Sequence, residues 1–357
     1  MALRVIQWAT GGVGKAAIEG ILNHPELELV GCWVHSKDKD GKDVGEIIGG
    51  PPLGVIATSS IDEILALAAD SVVYAPLLWN ADEVAALLAS GKDVVSPVGP
   101  IYPSERQAAP LVAACAQGNS SVHGTGIHPG GVTEIFPLMF SAMSSAVTFV
   151  RAEEFSDIRT YGAPDVIRHV MCFGGTPEEA NNGIMVKALS GGFKQSIHMV
   201  MEGLGLTGRA EIRTIHESAV ATAPIESPIG TIQPGQVAGQ KFHWEAVVEG
   251  EVVMRTGVTW LMGEESLDPA WTFGAGGERY EIEVKGNPDT VVMIKGWTPE
   301  LVDGELLTSP GIVATALHCV NAVPYVRDAP PGIVTSLDLP LVAGRAHPRL
   351  LGACRRK

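Results

Sequence analysis

The sequence predicts an α/β protein: a Rossmann-type doubly wound parallel sheet followed by an α+β domain with a mostly antiparallel sheet. Two features of the first hundred residues carry the first half of that reading. Short, nearly continuous apolar strands alternate with stretches of helical spacing, as expected for strands buried on both faces of a parallel sheet. The run Ala9-Thr10-Gly11-Gly12-Val13-Gly14 stands between the first strand and the first helix, where such a fold turns tightly. The second half rests on a change of rhythm after about residue 145, toward long stretches of period-two alternation.

The first strand covers 4–9, and the spacing of Ala16, Ala17, Ile18, Ile21 and Leu22 marks a helix over 15–23. A second strand spans 27–34, with Trp33 near its end. A helix over 60–69 opens with Ser59 or Ser60 as cap and carries Asp62 and Glu63 in its first turn, where the helix dipole favours acids. Strands follow at 71–75 and 93–96, separated by a helix over 81–89 that Gly91 terminates, and a further strand covers 121–124. Beyond the change of rhythm come a strand over 146–157 and helices over 177–189 and 193–202. Between 211 and 297 strand alternation dominates, as at 242–248 and 252–261, with turns at Gly250, Gly274 to Gly277 and Gly286-Asn287. A helix over 312–323 closes back on the first domain.

Composition narrows the function classes. The 357 residues suffice for about two domains with sizeable cores. With 25 Lys+Arg against 40 Asp+Glu, the net charge is −15, and the only basic run is Arg355-Arg356-Lys357. Such a surface repels phosphate backbones, so no nucleic-acid partner is expected. A content of 46% hydrophobic and 18% charged residues excludes disorder. Cys32, Cys115, Cys172, Cys319 and Cys354 are odd in number and form no C-x-x-C, which points to reduced thiols in a cytoplasmic protein. Apolar stretches such as 71–79 and 108–116 reach about half a bilayer span. With no charged leader before a long apolar segment, no membrane partner is expected. His123 and His128 flank a glycine-rich loop, but five-residue spacing on a loop is no metal signature. Both read as packed or solvated, and no metal is expected. Glu134 reads as a first-turn acid serving its own helix.

The glycine turn matches the dinucleotide fingerprint G-x-G-x-x-G with Ala9 in place of the first glycine. Gly11 lets the main chain approach a pyrophosphate, Gly14 lets the helix pack on the sheet, and Thr10, Gly12 and Val13 complete the cradle. Free N–H groups and the helix dipole supply the anion site. A tight turn without a ligand is the alternative. NAD enzymes place an acid roughly 20 residues on to hold the ribose 2′-hydroxyl. Here the count reaches Val34, then His35, Ser36 and Lys37, with no carboxylate before Asp38. A hydroxyl and an ammonium suit a 2′-phosphate, so NADP(H) is favoured and NAD(H) remains possible. The alternative is that Ser36, Lys37 and Lys39 form an ordinary solvated loop. Ala75, Pro76 and Leu77, and then Ser96-Pro97-Val98-Gly99, fall at strand ends on the carboxyl edge where ligands bind.

With these residues assembled, the chain resembles the dihydrodipicolinate-reductase-like oxidoreductases, and more closely the native amine dehydrogenases related to 2,4-diaminopentanoate dehydrogenase. The run Val5-Ile6-Gln7-Trp8-Ala9-Thr10-Gly11-Gly12-Val13-Gly14 is the most specific match. Gly124-Thr125-Gly126-Ile127-His128-Pro129-Gly130 resembles the segment leading into the substrate domain. Asn321-Ala322-Val323-Pro324 and Pro331-Gly332-Ile333-Val334-Thr335 are similar to the returning helix and tail. The dihydrodipicolinate reductases bind their dicarboxylate with a His-His-x-x-x-Lys-type stretch. Phe155-Ser156-Asp157-Ile158-Arg159-Thr160-Tyr161 stands there with neither the histidine pair nor the lysine, which argues against lysine biosynthesis.

The resemblance implies a dinucleotide-binding domain over 1–132, a substrate-binding and dimerisation domain over 133–307, and a segment 308–357 that returns to the first. It adds Asn321 to the cofactor-binding set and implies a homodimer. A catalytic glutamate in these enzymes precedes a helix-starting proline, and the role falls on Glu105 of Ser104-Glu105-Arg106-Gln107-Ala108-Ala109-Pro110. Pro110 suggests that the regular helix starts late, leaving Glu105 in a loop; the alternative is Ser104 as N-cap and Glu105 as a first-turn acid. Phe140, Tyr161, Phe173, Trp260 and Trp271 are candidates to line a substrate pocket, each also compatible with plain core. The function expected is NADP-dependent reductive amination of small ketones or aldehydes with ammonia, and the reverse deamination of amines. The alternatives are a 2,4-diaminopentanoate-type dehydrogenase, with a further acid for the second amine, or a non-catalytic NADPH-binding sensor.

Overall fold

Both faces of β1 (Leu3–Trp8) are covered, and its last four residues are fully buried, which is why it carries no polar alternation. The computed structural model describes residues 2–162, 164–297, 301–302, 305–306, 309–346 and 350. Cys354 and the basic run Arg355-Arg356-Lys357 lie outside them. The chain divides into two units, Met1–Ile127 with Ile312–Lys357, and His128–Gly311.

In the first unit, β1 leads into α1 (Gly12–Asn23), followed by β2 (Leu27–Trp33), α2 (Val44–Ile48), β3 (Ala57–Thr58), α3 (Ile61–Ala66) and β4 (Ser71–Tyr74). Then come α4 (Ala81–Ala89), β5 (Asp93–Ser96), α5 (Glu105–Gly118) and β6 (Ser121–Gly124). Ser60 caps α3, its hydroxyl accepting from the Glu63 N–H, and the helix ends at Ala66 because Leu67 is extended, short of the 69 expected. Strand order is β6-β5-β4-β1-β2-β3, with the short strand Gly332–Ile333 added beside β6; every pair is parallel. The order reverses between β1 and β4, and the carboxyl edge at such a switch point is where this fold binds ligands.

The second unit begins with a π-helical turn, Gly131–Ile135, running into α6 (Phe136–Ser141) and β7 (Ser145–Asp157). After α7 (Pro177–Asn182) and α8 (Ile184–Gly203) come β8 (Glu211–Ala221), β9 (Val237–Val248), β10 (Glu251–Leu261), β11 (Leu267–Asp268), β12 (Arg279–Asn287) and β13 (Thr290–Ile294). Their order is β11-β8-β9-β10-β7-β12-β13, antiparallel throughout except for the parallel pair β7/β10. Phe193, Ile197, Val200 and Met201 of α8 pack on Phe242, Trp244, Met254 and Val258, so helix covers one face. The other face carries an ion-pair ladder in which Arg151 meets Glu153, Glu281 and Glu283, and Arg255 meets Glu245. The helix break expected near 190–192 falls instead at Gly183, and α8 runs straight through Gly191 and Gly192.

The chain returns to the first unit along α9 (Pro310–Arg327), longer than the expected 312–323 and continuing through Pro324. Ala316, Cys319, Val320, Ala322, Val323 and Val326 join α1 and β2 in one core cluster, while α3, α4 and α5 build the cluster on the opposite sheet face. Each fully buried Val or Ile of this kind contributes about 1.5–3 kcal/mol relative to exposure, so α9 is part of the first unit's core.

Candidate functional site

The turn after β1 is held open by the backbone. Ala9 sits at φ 71°, a left-handed conformation that points its carbonyl toward α1. The Gln7 side-chain amide donates to the carbonyls of Trp8 and Ala9 at 2.9 and 3.0 Å and pins the turn from below. A Cβ on Gly14 would lie 2.2 Å from the Ala9 carbonyl oxygen, so the turn can form only with glycine there. Gly11, the N-cap of α1, is different: a Cβ there would meet nothing within 4 Å. No side chain caps α1 and no acid stands in its first turn. Open space, unclaimed N–H groups and a positive helix end together fit a pyrophosphate. Ile312 of α9 packs over Gly12, 3.5 Å from where a Cβ would be.

The loop after β2 brings a different cation from the one expected. Lys39 Nζ donates to Thr10 Oγ1 at 3.1 Å, directly at the glycine turn. Lys37 and His35 are exposed, and the Ser36 hydroxyl donates to the Asp38 carboxylate. The sequence did name Lys39, but as part of a solvated loop; only the folded turn shows which lysine reaches Thr10. At the end of β4, Ala75 is buried, its N–H donating to the Trp8 carbonyl at 3.1 Å, and Leu77 is exposed.

Near the end of β6, Thr125 Oγ1 lies 2.8 Å from His318 Nδ1 of α9. His318 is a residue the sequence reading missed, for nothing local marks it. Asn321 stands one turn further along α9, with Gly344 as neighbour. Arg327, at the far end of that helix, reaches Asp70 and Asp93 at the starts of β4 and β5. The helix therefore runs from the carboxyl edge to the amino edge, with His318 closer to the carboxyl edge than Asn321.

Glu105 is the first residue of α5, not a loop residue. Ser104 begins the helix, its N–H and hydroxyl both donating to the Gln107 side-chain oxygen at 3.1 and 2.8 Å. The Ala108 N–H bonds back to the Ser104 carbonyl, so the helix is established before Pro110. Proline there removes one early hydrogen bond from an exposed stretch without ending the helix. The Glu105 carboxylate is exposed in the chain.

In the second unit, Phe173 is buried in a cluster with Ile167, Met171 and Ile229, and Tyr161, Trp260 and Trp271 pack against it. Phe140 lies on α6, outside that cluster. Burial pushes His123 and His128 down to about 4. His123 Nδ1 lies 2.8 Å from the Val334 carbonyl, and the His128 ring nitrogens face the Gly257 carbonyl and Thr133. Glu134 stands in the π-helical turn and is fully buried, which pushes its carboxyl up to about 8 against the pull of Ser196. Among the described residues no cluster of three or more His, Cys, Asp or Glu could hold a metal, and no helix is long and apolar enough to cross a membrane.

Residues 132–348 match the family model of the 2,4-diaminopentanoate dehydrogenase C-terminal domain. Over 355 residues the chain is 28% identical to an amine dehydrogenase of Streptomyces virginiae, covering 95% of this chain and 96% of that one. It is 25% identical to a 2,4-diaminopentanoate dehydrogenase of Acetoanaerobium sticklandii, over 95% of this chain and 94% of the relative. Among solved structures, amine dehydrogenase from Mycobacterium smegmatis shares the fold, with a TM-score of 0.77, 21% identity, and coverage of 97% and 98% of the two chains.

Proposed function

Because the chain belongs to the family of the 2,4-diaminopentanoate dehydrogenase C-terminal domain, we propose that it is a nicotinamide-dependent amine dehydrogenase. On this reading it aminates small ketones or aldehydes with ammonia and, in reverse, deaminates amines. The observation that carries the reading is the end-to-end likeness to the Streptomyces virginiae amine dehydrogenase. The second support is the open, uncapped turn at Gly11, which suits a dinucleotide.

Bound nicotinamide gives or takes hydride; the chain supplies binding, charge and proton transfer. The main chain from Thr10 to Gly14 would hold the pyrophosphate, with Ala9 setting the turn. Lys39 would meet the 2′-phosphate of NADP(H), and no carboxylate follows β2 before Asp38. NAD(H) would bind through the same turn without that ion pair. The imine formed from a ketone and ammonia reacts as a cationic iminium. A carboxylate beside it stabilises that charge, and the same group can take a proton from ammonium or relay one as water leaves. Glu105 is assigned that role. The reading includes a homodimer.

A second reading, a 2,4-diaminopentanoate dehydrogenase, is favoured by the Acetoanaerobium sticklandii relative. Amine-dependent reduction of NADP⁺ and NAD⁺ across a panel of simple amines and 2,4-diaminopentanoate tests both. Reduction with none of them removes the proposal, and a preference of a hundredfold or more for 2,4-diaminopentanoate replaces the first reading with the second.

A further inference from the structure

The residue that follows β6 has each of its polar groups taken. Thr125 is fully buried. Its N–H donates to the carbonyl of Ser96, the last residue of β5, at 3.0 Å. Its carbonyl accepts from the Cys319 thiol at 3.8 Å, and its hydroxyl lies 2.8 Å from His318 Nδ1. The same imidazole bonds the main chain of Gly126, and burial lowers its pKa against that bond, so the ring is neutral at pH 7. Just before, a Cβ on Gly124 would lie 2.2 Å from the Pro100 carbonyl oxygen, so the loop after β5 rests on the end of β6.

Two adjacent residues of α9 thus hold one loop residue, although consecutive side chains on a helix point about 100° apart. The packing of α9 does not call for a histidine at 318. Leu317 and Val320 stand over Gly20 of α1, and Ala316, Cys319, Val320 and Val323 enter the core cluster, while His318 stays partly exposed. A polar ring taken out of water costs free energy unless it is hydrogen-bonded, and the bonds to Thr125 and Gly126 offset that cost. Ser96, Pro100, Gly124, Thr125 and His318 form one packed seat at the carboxyl edge, wholly within the first unit.

A dinucleotide lies across the switch point of such a sheet. With Lys39 assigned to the 2′-phosphate beside Thr10, the β1-β2-β3 half takes the adenosine end. The nicotinamide end then falls over β4, β5 and β6. The phosphates bind through the glycine turn, but the nicotinamide must also be placed accurately, because hydride transfer depends on orientation. We propose that His318, acting through Thr125 and Gly126, is the positioning residue on α9 that fixes the seat of the nicotinamide ring, in place of Asn321. Asn321 lies one turn nearer the amino edge, beside Gly344. The inference rests on the nicotinamide-dependent reading and is independent of which amine reacts.

The test compares, on the full chain, calorimetric titration with NADPH and with 2′-phospho-ADP-ribose, the same molecule without nicotinamide. NADH and ADP-ribose form the second pair, since the seat does not depend on the 2′-phosphate. Wild type is expected to bind each dinucleotide about tenfold more tightly than its fragment, the worth of one to two hydrogen bonds. His318→Ala and Thr125→Val should bring the two within about threefold by weakening the dinucleotide alone. A merely structural role would weaken dinucleotide and fragment together and leave their ratio unmoved. His318→Asn, which keeps a polar atom near the place of Nδ1, should recover part of the ratio. A ratio that responds in this way while no amine is oxidised supports the seat, and the dehydrogenase reading then fails alone. Wild type that binds the dinucleotide no more tightly than the fragment, or not at all, overturns the proposal. So does a ratio that His318→Ala and Thr125→Val leave unchanged, or one that Asn321→Ala lowers in their place.

Discussion

Two glycines three residues apart should respond to the same substitution in opposite ways. At Gly11 a methyl group enters open space, with nothing within 4 Å, and the residue's φ of −72° is ordinary for alanine. The fold loses nothing, and the restriction of the unfolded chain adds about 0.4–1 kcal/mol of stability, or about 1–3 °C in Tm for a chain of this size. The same methyl, however, occupies the place assigned to the pyrophosphate. Overpacking there costs about 1–3 kcal/mol, which weakens nucleotide binding roughly 5- to 150-fold. At Gly14 the Cβ would stand 2.2 Å from the Ala9 carbonyl oxygen, and Ala9 at φ 71° has little freedom to yield. Gly14→Ala must therefore push α1 away from the turn by about 1 Å to reach ordinary contact, costing about 1–3 kcal/mol in the fold as well as in binding. Thermal unfolding and fluorescence titration with NADPH separate the two. Gly11→Ala with Tm raised by about 1–3 °C and lost affinity, beside Gly14→Ala with both reduced, is the expected pair. A Gly11→Ala protein that binds NADPH as wild type does would refute the cradle.

Lys39→Ala should weaken NADPH about 10- to 100-fold, the worth of one charge-assisted hydrogen bond, while leaving NADH within about threefold; Lys37→Ala should do little, and the reverse pattern would return the role to Lys37. Glu134 is neutral in the fold up to about pH 8 but ionises near its ordinary value when unfolded. The native state therefore holds the extra proton between those values, and stability falls as pH rises through that window, by about 3 kcal/mol at pH 7. Glu134→Gln removes the penalty, so its Tm should exceed that of wild type at pH 8 and match it near pH 4; a parallel pH profile would contradict this. His123 and His128 act on the acid side. Held neutral down to about 4, they leave the unfolded chain binding more protons below pH 6.5, so Tm should drop on acidification from 6.5 toward 4 in thermal melts.

The features legible in the sequence were those governed by local physics. β1, the glycine turn and α1 announce themselves through apolar runs and glycine placement, and the Ser60 cap of α3 follows from one hydroxyl. The parallel sheet and the change to antiparallel strands were also readable, because burial on two faces and on one face leave different periodicities. Features set by distant contacts were not. Gly191-Gly192 looked like a helix end, but Gly192 approaches Pro129 so closely that a Cβ would lie 3.1 Å from its ring, and tertiary packing carries the helix through. The start of α5 at Glu105 depended on a capping pair outweighing Pro110. Lys39 and His318 acquire their surroundings only when the loop after β2 and the returning α9 are in place.

The central claim is that this chain joins ammonia to a carbonyl carbon by hydride transfer. Reaction of a small ketone with ¹⁵N-ammonium and NADPH deuterated at the nicotinamide C4, read by mass spectrometry of the product, tests it directly. The account predicts an amine carrying both ¹⁵N and one deuterium, formed only when ketone and ammonium are both present and at least 100-fold more slowly by Glu105→Gln. A deuterated alcohol without ¹⁵N, or ¹⁵N-amine formation undiminished in Glu105→Gln, would contradict it.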